Sequence, residues 1–273
     1  MSELAKRLSV AAFGIPALIF LNFLGGWYFF AVILLISVVA QWEFYQLQKH
    51  NKIYPQNISG IIAGIILLLT VQTNQWLAGS LLLIICLMMI LANEMFRRQK
   101  NVSANIGVTF LGVLYIPLLI GSFLYLRTYV DHLYPNVEIS GFIFILVVFA
   151  AIWICDTFAY AFGRLLGKHK LYEKVSPNKS IEGAIAGVVG SILTIGLVNY
   201  FNVLPISPLE VFLFGIAIGV LGQIGDLVES WFKRDAGVKD SSALLPGHGG
   251  MLDRFDSLIF VSPAMLILVV ILN

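Results

Sequence analysis

The chain is short of charge. Only 12% of its 273 residues are Asp, Glu, Lys or Arg, where a soluble globular chain carries about 25%. It has two cysteines, Cys86 and Cys155, and both lie inside apolar runs, which argues against a disulfide framework or a zinc site. No H-E-x-x-H zinc motif, dinucleotide-binding glycine pattern or G-x-S-x-G elbow occurs. Gly163 to Lys168 is not a Walker A loop, because its glycines are too close together and His169 stands where Ser or Thr is needed. No internal repeat is evident, so an inverted-repeat transporter fold gains no support. The basic residues are shared among short loops, which argues against nucleic-acid binding. What the sequence has in quantity is apolar surface, at 59% of residues. That composition excludes disorder and an ordinary soluble domain and leaves an integral membrane protein.

Nine apolar runs follow one another, at 8–24, 27–47, 58–73, 75–93, 105–126, 139–163, 181–202, 209–232 and 255–272. Their lengths suit membrane helices, which need about 20 residues, and the alternation of barrel strands is missing. The expected fold is all-α, a polytopic membrane protein of about nine spans. Lys6-Arg7 before the first run resembles a signal peptide, but Pro16 interrupts the run and no A-x-A site follows, so it reads as a retained span. The third and fourth runs meet at Thr73-Asn74-Gln75, which predicts a tight hairpin. With the N-terminus in the cytoplasm, Arg127 alone of the 17 Lys and Arg residues falls on the opposite side. The C-terminus is then outside. Residues 1–130 form an N-terminal group of five spans. Residues 131–273 are expected to form a C-terminal group of four, with cytoplasmic loops at 164–180 and 233–254 that hold the candidate chemistry.

The eighth run is the most informative. Gly215, Gly219, Gly222, Asp226, Ser230 and Lys233 recur at steps of three or four and so share a helical face. A carboxylate in a span costs roughly 2.5–3.5 kcal/mol, so Asp226 should face a wet cavity or a partner. An ion pair with Lys233 that only joins helices would also satisfy it. Gly215 and Gly219 read better as close helix packing. The sixth run repeats the pattern, with Asp156, Tyr160 and Gly163 on one face. Function and packing fit Asp156 equally well. Two acids at similar depth on one side suggest a single cavity opening to the cytoplasm.

Two loops are polar. Ser230 to Asp256 contains Lys233, Arg234, Lys239 and Arg254, a Gly247-His248-Gly249-Gly250 turn, and Asp253 and Asp256 at the start of the last run. Glycine turns bring backbone N–H groups close to an anion. Carboxylates beside Lys and Arg are what a Mg²⁺–polyphosphate site needs. Helix capping accounts equally well for Asp253 or Asp256 singly. His248 suits an acid or base, or a phosphate or backbone contact. In the other loop, Ser176-Pro177-Asn178-Lys179-Ser180 runs into a helix start, a place for an anion.

The stretch from Ser230 to Asp256 closely resembles the signature of the phosphatidate cytidylyltransferase (CDP-diacylglycerol synthase) family. Its elements are Ser230, Lys233-Arg234, Lys239-Asp240, Pro246, His248-Gly249-Gly250 and Asp253-Arg254-Phe255-Asp256. Ser176 to Ser180 is also similar, with Ser180 where Thr is common. Residues 1–130 resemble the family only in hydropathy. The resemblance implies the reaction of CTP with phosphatidate to give CDP-diacylglycerol and pyrophosphate, with Mg²⁺ as one ion or two. It implies Asp226 and Asp253 as metal ligands, and Lys233, Arg254 and Asp256 as further catalytic members. Substrate contacts are expected from Ser176, Lys179, Ser180, Ser230, Arg234, Lys239, Asp240, His248, Gly249 and Gly250. The expected setting is a bacterial inner membrane with the active site facing the cytoplasm. Small-residue faces on the seventh and eighth runs permit a homodimer. The competing readings are a CTP-dependent kinase of a polyprenol or phytol-type alcohol and an ion-coupled transporter using Asp156 and Asp226.

Overall fold

A computed structural model of the chain describes residues 3–137, 139–244 and 249–273, with side chains from Ala12 onward. The helices are α1 Glu3–Leu24, α2 Gly26–Lys49, α3 Asn57–Thr73, α4 Trp76–Phe96, α5 Val102–Val113, α6 Leu119–Leu133, α7 Ser140–Leu166, α8 Ile181–Tyr200, α9 Pro208–Asp235 and α10 Leu252–Leu272. A π-helical turn, Leu114–Leu118, joins α5 to α6 and contains Pro117. Proline has no N–H to give the helical ladder, and a wider turn absorbs the missing bond. Asn74 adopts the left-handed conformation at the end of α3, φ 55°, so the hairpin to α4 forms where Thr73-Asn74-Gln75 predicts it.

Among the described residues, seven helical stretches are long and apolar enough to cross a membrane. The protein is thus a predominantly helical, polytopic membrane protein. The third of the nine expected spans corresponds to a shorter apolar helix, Asn57–Thr73, and the described part of α1, Ala12–Leu24, is apolar as well. At 1.5 Å per residue a 17-residue helix is about 25 Å long, less than the roughly 30 Å of a hydrocarbon core. The all-α expectation also needs one addition. The loop after α7 folds into an antiparallel hairpin of β1 (Lys170–Tyr172) and β2 (Ser176–Ser180), with Lys170 opposite Ser180 and Tyr172 opposite Ser176.

The chain forms two compact units. One comprises residues 1–125 and 232–255, the other 126–231 and 256–273. In the first, α2 is the hub. Tyr45 is fully buried; its hydroxyl donates to the Thr109 carbonyl at 2.7 Å and accepts from Gln41 Nε2 at 2.9 Å. Gly60 and Gly112 lie against the Tyr45 ring, where any Cβ would collide with it. Phe44 packs edge-on to Tyr115 and Phe232. A second buried knot joins α4 to its neighbours, with Glu94 accepting from Gln56, Asn105 and Arg97.

In the second unit, α7 and α8 approach through glycines. A Cβ on Gly183 would lie 2.6 Å from the Ala159 carbonyl, and one on Gly187 3.0 Å from Cys155 Sγ. Gly215 and Gly219 of α9 pack on Ile192 and Val188 of α8 in the same way, as their spacing predicts. On the outer-loop side predicted for Arg127, Asp131 accepts from the Gly141 backbone N–H at 2.7 Å and from Ser140 Oγ, holding the start of α7.

Candidate active site

The second unit contains a cavity of about 660 Å³ among α7, β2, α8 and α9. Asp156, Tyr160 and Arg164 line it from α7, Ser176, Lys179 and Ser180 from β2, and Gln223 and Asp226 from α9. Asp156 and Asp226 thus share one cavity, as their depth predicts. Lys179 Nζ donates to Asp226 Oδ2 at 2.5 Å, and Ser230 Oγ to Asp226 Oδ1 at 3.3 Å. Asp256, half-buried in the first turns of α10, is close enough to Asp226, Asp156 and Lys179 for electrostatic interaction. The cavity wall itself carries two acids, Asp156 and Asp226, and two bases, Lys179 and Arg164, so it offers partners to a cation and to an anion. Arg164 is exposed at the rim, with Nη1 3.4 Å from the Tyr160 hydroxyl.

Ser180 has two structural tasks. It ends β2, and as N-cap of α8 its Oγ accepts the Gly183 N–H at 3.2 Å. The Ile181 N–H donates to the His169 carbonyl at 2.9 Å. Two of the N–H groups at the α8 start therefore already have partners, and the Lys179 ammonium is the more accessible anchor for an anion. The hairpin is tied down by Glu182, which accepts from the Lys168 and His169 N–H groups and lies 2.6 Å from His169 Nδ1.

The first unit holds the rest of the signature. Lys233 Nζ donates to Asp253 Oδ1 at 2.6 Å, and both side chains are nearly buried. Asp253 Oδ2 accepts from the Ser241 N–H, the Ser241 hydroxyl and the Gly250 N–H, at 2.7–3.0 Å. Asp253 lies inside the first turn of α10 and its carboxylate takes loop donors rather than N–H groups of that helix, so it is not the N-cap; its negative charge suits a helix start. Gly250 is pressed between the Ser241 hydroxyl and the Glu43 carboxylate, which leaves no room for a Cβ. Gly249 has φ 80°, a conformation natural to glycine. Arg234 is exposed and bonds the Val238 carbonyl; Lys239, Asp240 and Arg254 are exposed. Pro246, Gly247 and His248 lie outside the described residues.

Sequence patterns gave no sign of Glu43, buried on α2, which receives donors from Ser241, Ser242, Met251 and Leu252. Its only mark is an acid within an apolar run. Arg164 was readable only as a loop cation. The metal expectation meets a mixed donor set. Among the described residues no group of three acidic, His or Cys side chains converges on one point. Mg²⁺, however, takes only one or two carboxylates when phosphate oxygens complete its shell. Asp226 accepts from the Lys179 ammonium and, at 3.3 Å, from Ser230, and fits a metal that arrives with a phosphate ligand. Asp253 accepts from Lys233 and from three further donors, and fits one only where a donor gives way.

Apolar helices long enough to span a bilayer, around a cavity walled by Asp156, Asp226, Lys179 and Arg164, mark a polytopic membrane protein with a charged cavity. Sequence comparison narrows that class. The chain belongs to the cytidylyltransferase family, whose profile matches residues 5–272. It is 35% identical over 260 residues to the phosphatidate cytidylyltransferase of Staphylococcus haemolyticus, covering 94% of this chain and 96% of that protein. Identity to the phosphatidate cytidylyltransferase of Synechocystis sp. is 32% over 289 residues, covering 98% and 97%. The phosphatidate cytidylyltransferase of Staphylococcus saprophyticus is 47% identical over 131 residues, 48% of this chain and 50% of that protein.

Proposed function

We propose that the chain transfers the cytidylyl group of CTP to phosphatidate, giving CDP-diacylglycerol and pyrophosphate. The observation that carries this is the near full-length match to proteins of that activity. A phosphatidate phosphate oxygen attacks the α-phosphorus of CTP in line. The bond from the α-phosphorus to the bridging oxygen breaks, and pyrophosphate leaves with the electron pair. The nucleophile is already ionised, so positioning and charge stabilisation dominate over base catalysis. In the second unit, Lys179 and Ser176 offer an ammonium and a hydroxyl to a phosphate in the cavity, and Asp226 orients Lys179. In the first unit, Lys233 and Arg254 supply positive charge, with Asp253 fixing Lys233. Ser180, Ser230, Arg234, Lys239, Asp240, Gly249, Gly250 and Asp256 complete the proposed set. Asp226 in the second unit and Asp253 in the first are each a proposed ligand for Mg²⁺, which would supply positive charge to phosphate oxygens.

The membrane arrangement belongs to the same proposal. The chain crosses nine times, N-terminus inside and C-terminus outside, in a bacterial inner membrane, with loops 164–180 and 233–254 cytoplasmic. The basic asymmetry supports this. A homodimer is compatible with it. Incubating the purified protein with labelled CTP and phosphatidate tests the activity. Labelled CDP-lipid supports it. A phosphorylated alcohol from an added polyprenol would point to a kinase, and no product under any condition to a transporter.

A further inference from the structure

Glu43 lies on α2 and is fully buried, in a span where a carboxylate needs compensation. Each of its oxygens meets one hydroxyl and one backbone N–H. Oε1 accepts from Ser242 Oγ at 2.5 Å and Met251 N at 3.0 Å. Oε2 accepts from Leu252 N at 2.7 Å and lies 3.2 Å from Ser241 Oγ. These donors sit at the two ends of the signature loop, 241–242 and 251–252. Met251 and Leu252 stand at the start of α10, where the helix's own carbonyls offer their N–H groups no partner. The Ser241 hydroxyl has one proton and stands between two carboxylates, 3.2 Å from Glu43 and 2.8 Å from Asp253. Glu43 is therefore linked through one side chain to the Asp253–Lys233 pair.

We infer that Glu43 is a positioning residue for the transfer reaction: it closes the signature loop at both ends and, through Ser241, sets the orientation of Asp253 and Lys233. The inference rests on the cytidylyl-transfer reading. A structural clamp alone would affect the folded fraction; a positioning residue affects the chemical step in molecules that are folded.

The test is steady-state kinetics of the full-length protein in lipid nanodiscs, with CTP and phosphatidate varied separately and rates normalised to folded protein. Glu43→Gln keeps the shape but turns one oxygen into a donor. Serine hydroxyls can turn to accept from it, whereas the backbone N–H of Met251 or Leu252 cannot. The expected result is a loss of kcat of about tenfold or more, with both KM values within about threefold of wild type. Combining Glu43→Gln with Ser241→Ala should add less than about twofold to the larger single loss, because both act through one link. If Glu43→Gln does not fold, Ser242→Ala removes one donor from Oε1 and should lower kcat by about threefold. Wild-type kcat in the folded variant, a KM effect at constant kcat, or multiplicative losses in the double variant would overturn the inference alone. A wild-type protein that makes no CDP-diacylglycerol would overturn the functional reading and the inference with it.

Discussion

Lys179 Nζ and Asp226 Oδ2 meet at 2.5 Å although 47 residues separate them in sequence. The pair joins the hairpin to α9 on the wall of the cavity, and its side chains are 27% and 31% exposed. So open a pair contributes at most about 1 kcal/mol to stability. Asp226→Asn should therefore leave the protein folded in detergent and abolish cytidylyl transfer. Lys179→Ala should raise the KM of one substrate more than it lowers kcat. Near wild-type turnover of Asp226→Asn at saturating Mg²⁺ would remove Asp226 from the metal assignment.

Lys233 and Asp253 make a pair of similar length in a different environment, with side chains only 11% and 7% exposed. Removing one partner leaves an uncompensated charge, at a cost of about 3–5 kcal/mol. Lys233→Ala should lower the unfolding midpoint clearly where Lys179→Ala does not. Replacing both, as Lys233→Met with Asp253→Asn, should recover much of that stability without recovering activity. Thermal unfolding of the four proteins side by side measures the contrast.

Gly250→Ala should destabilise the first unit by about 1–3 kcal/mol, the usual cost of overpacking. The added carbon would fall on the Ser241 hydroxyl and both Glu43 oxygens. Gly107→Ala on α5 is the control, since nothing lies within 4 Å of its added carbon. Chemical denaturation should separate the two, and an unaffected Gly250→Ala would show that the loop has room to shift.

A C-terminal reporter that is active only in the cytoplasm should stay silent, and one active only outside should report. A cytoplasmic signal at Asn273 would refute nine spans with the N-terminus inside.

The helices were legible because apolar length alone fixes them. The run at 58–73 becomes Asn57–Thr73, and Asn74 ends it by its left-handed turn. The run at 105–126 becomes part of one helical stretch, Val102–Leu133, with a π-helical turn at Pro117 that length cannot reveal but proline can. The hairpin was hidden because Lys170–Tyr172 and Ser176–Ser180 are short, charged and interrupted by Pro177, with no alternation to read. Asp226 and Lys179 stood out singly as unusual charges, yet nothing in their spacing says that they meet. Glu43 was the least legible. Its partners lie around 200 residues away, two of them backbone groups that leave no trace in composition.

Lys179 is the penultimate residue of β2, and the next residue, Ser180, ends the strand and caps α8. Its backbone is therefore held on one side by the pairing with β1 and on the other by the helix start. The ammonium sits at the end of a flexible stem on a fixed base. It can follow a ligand within the cavity while the strand and the helix behind it stay in place.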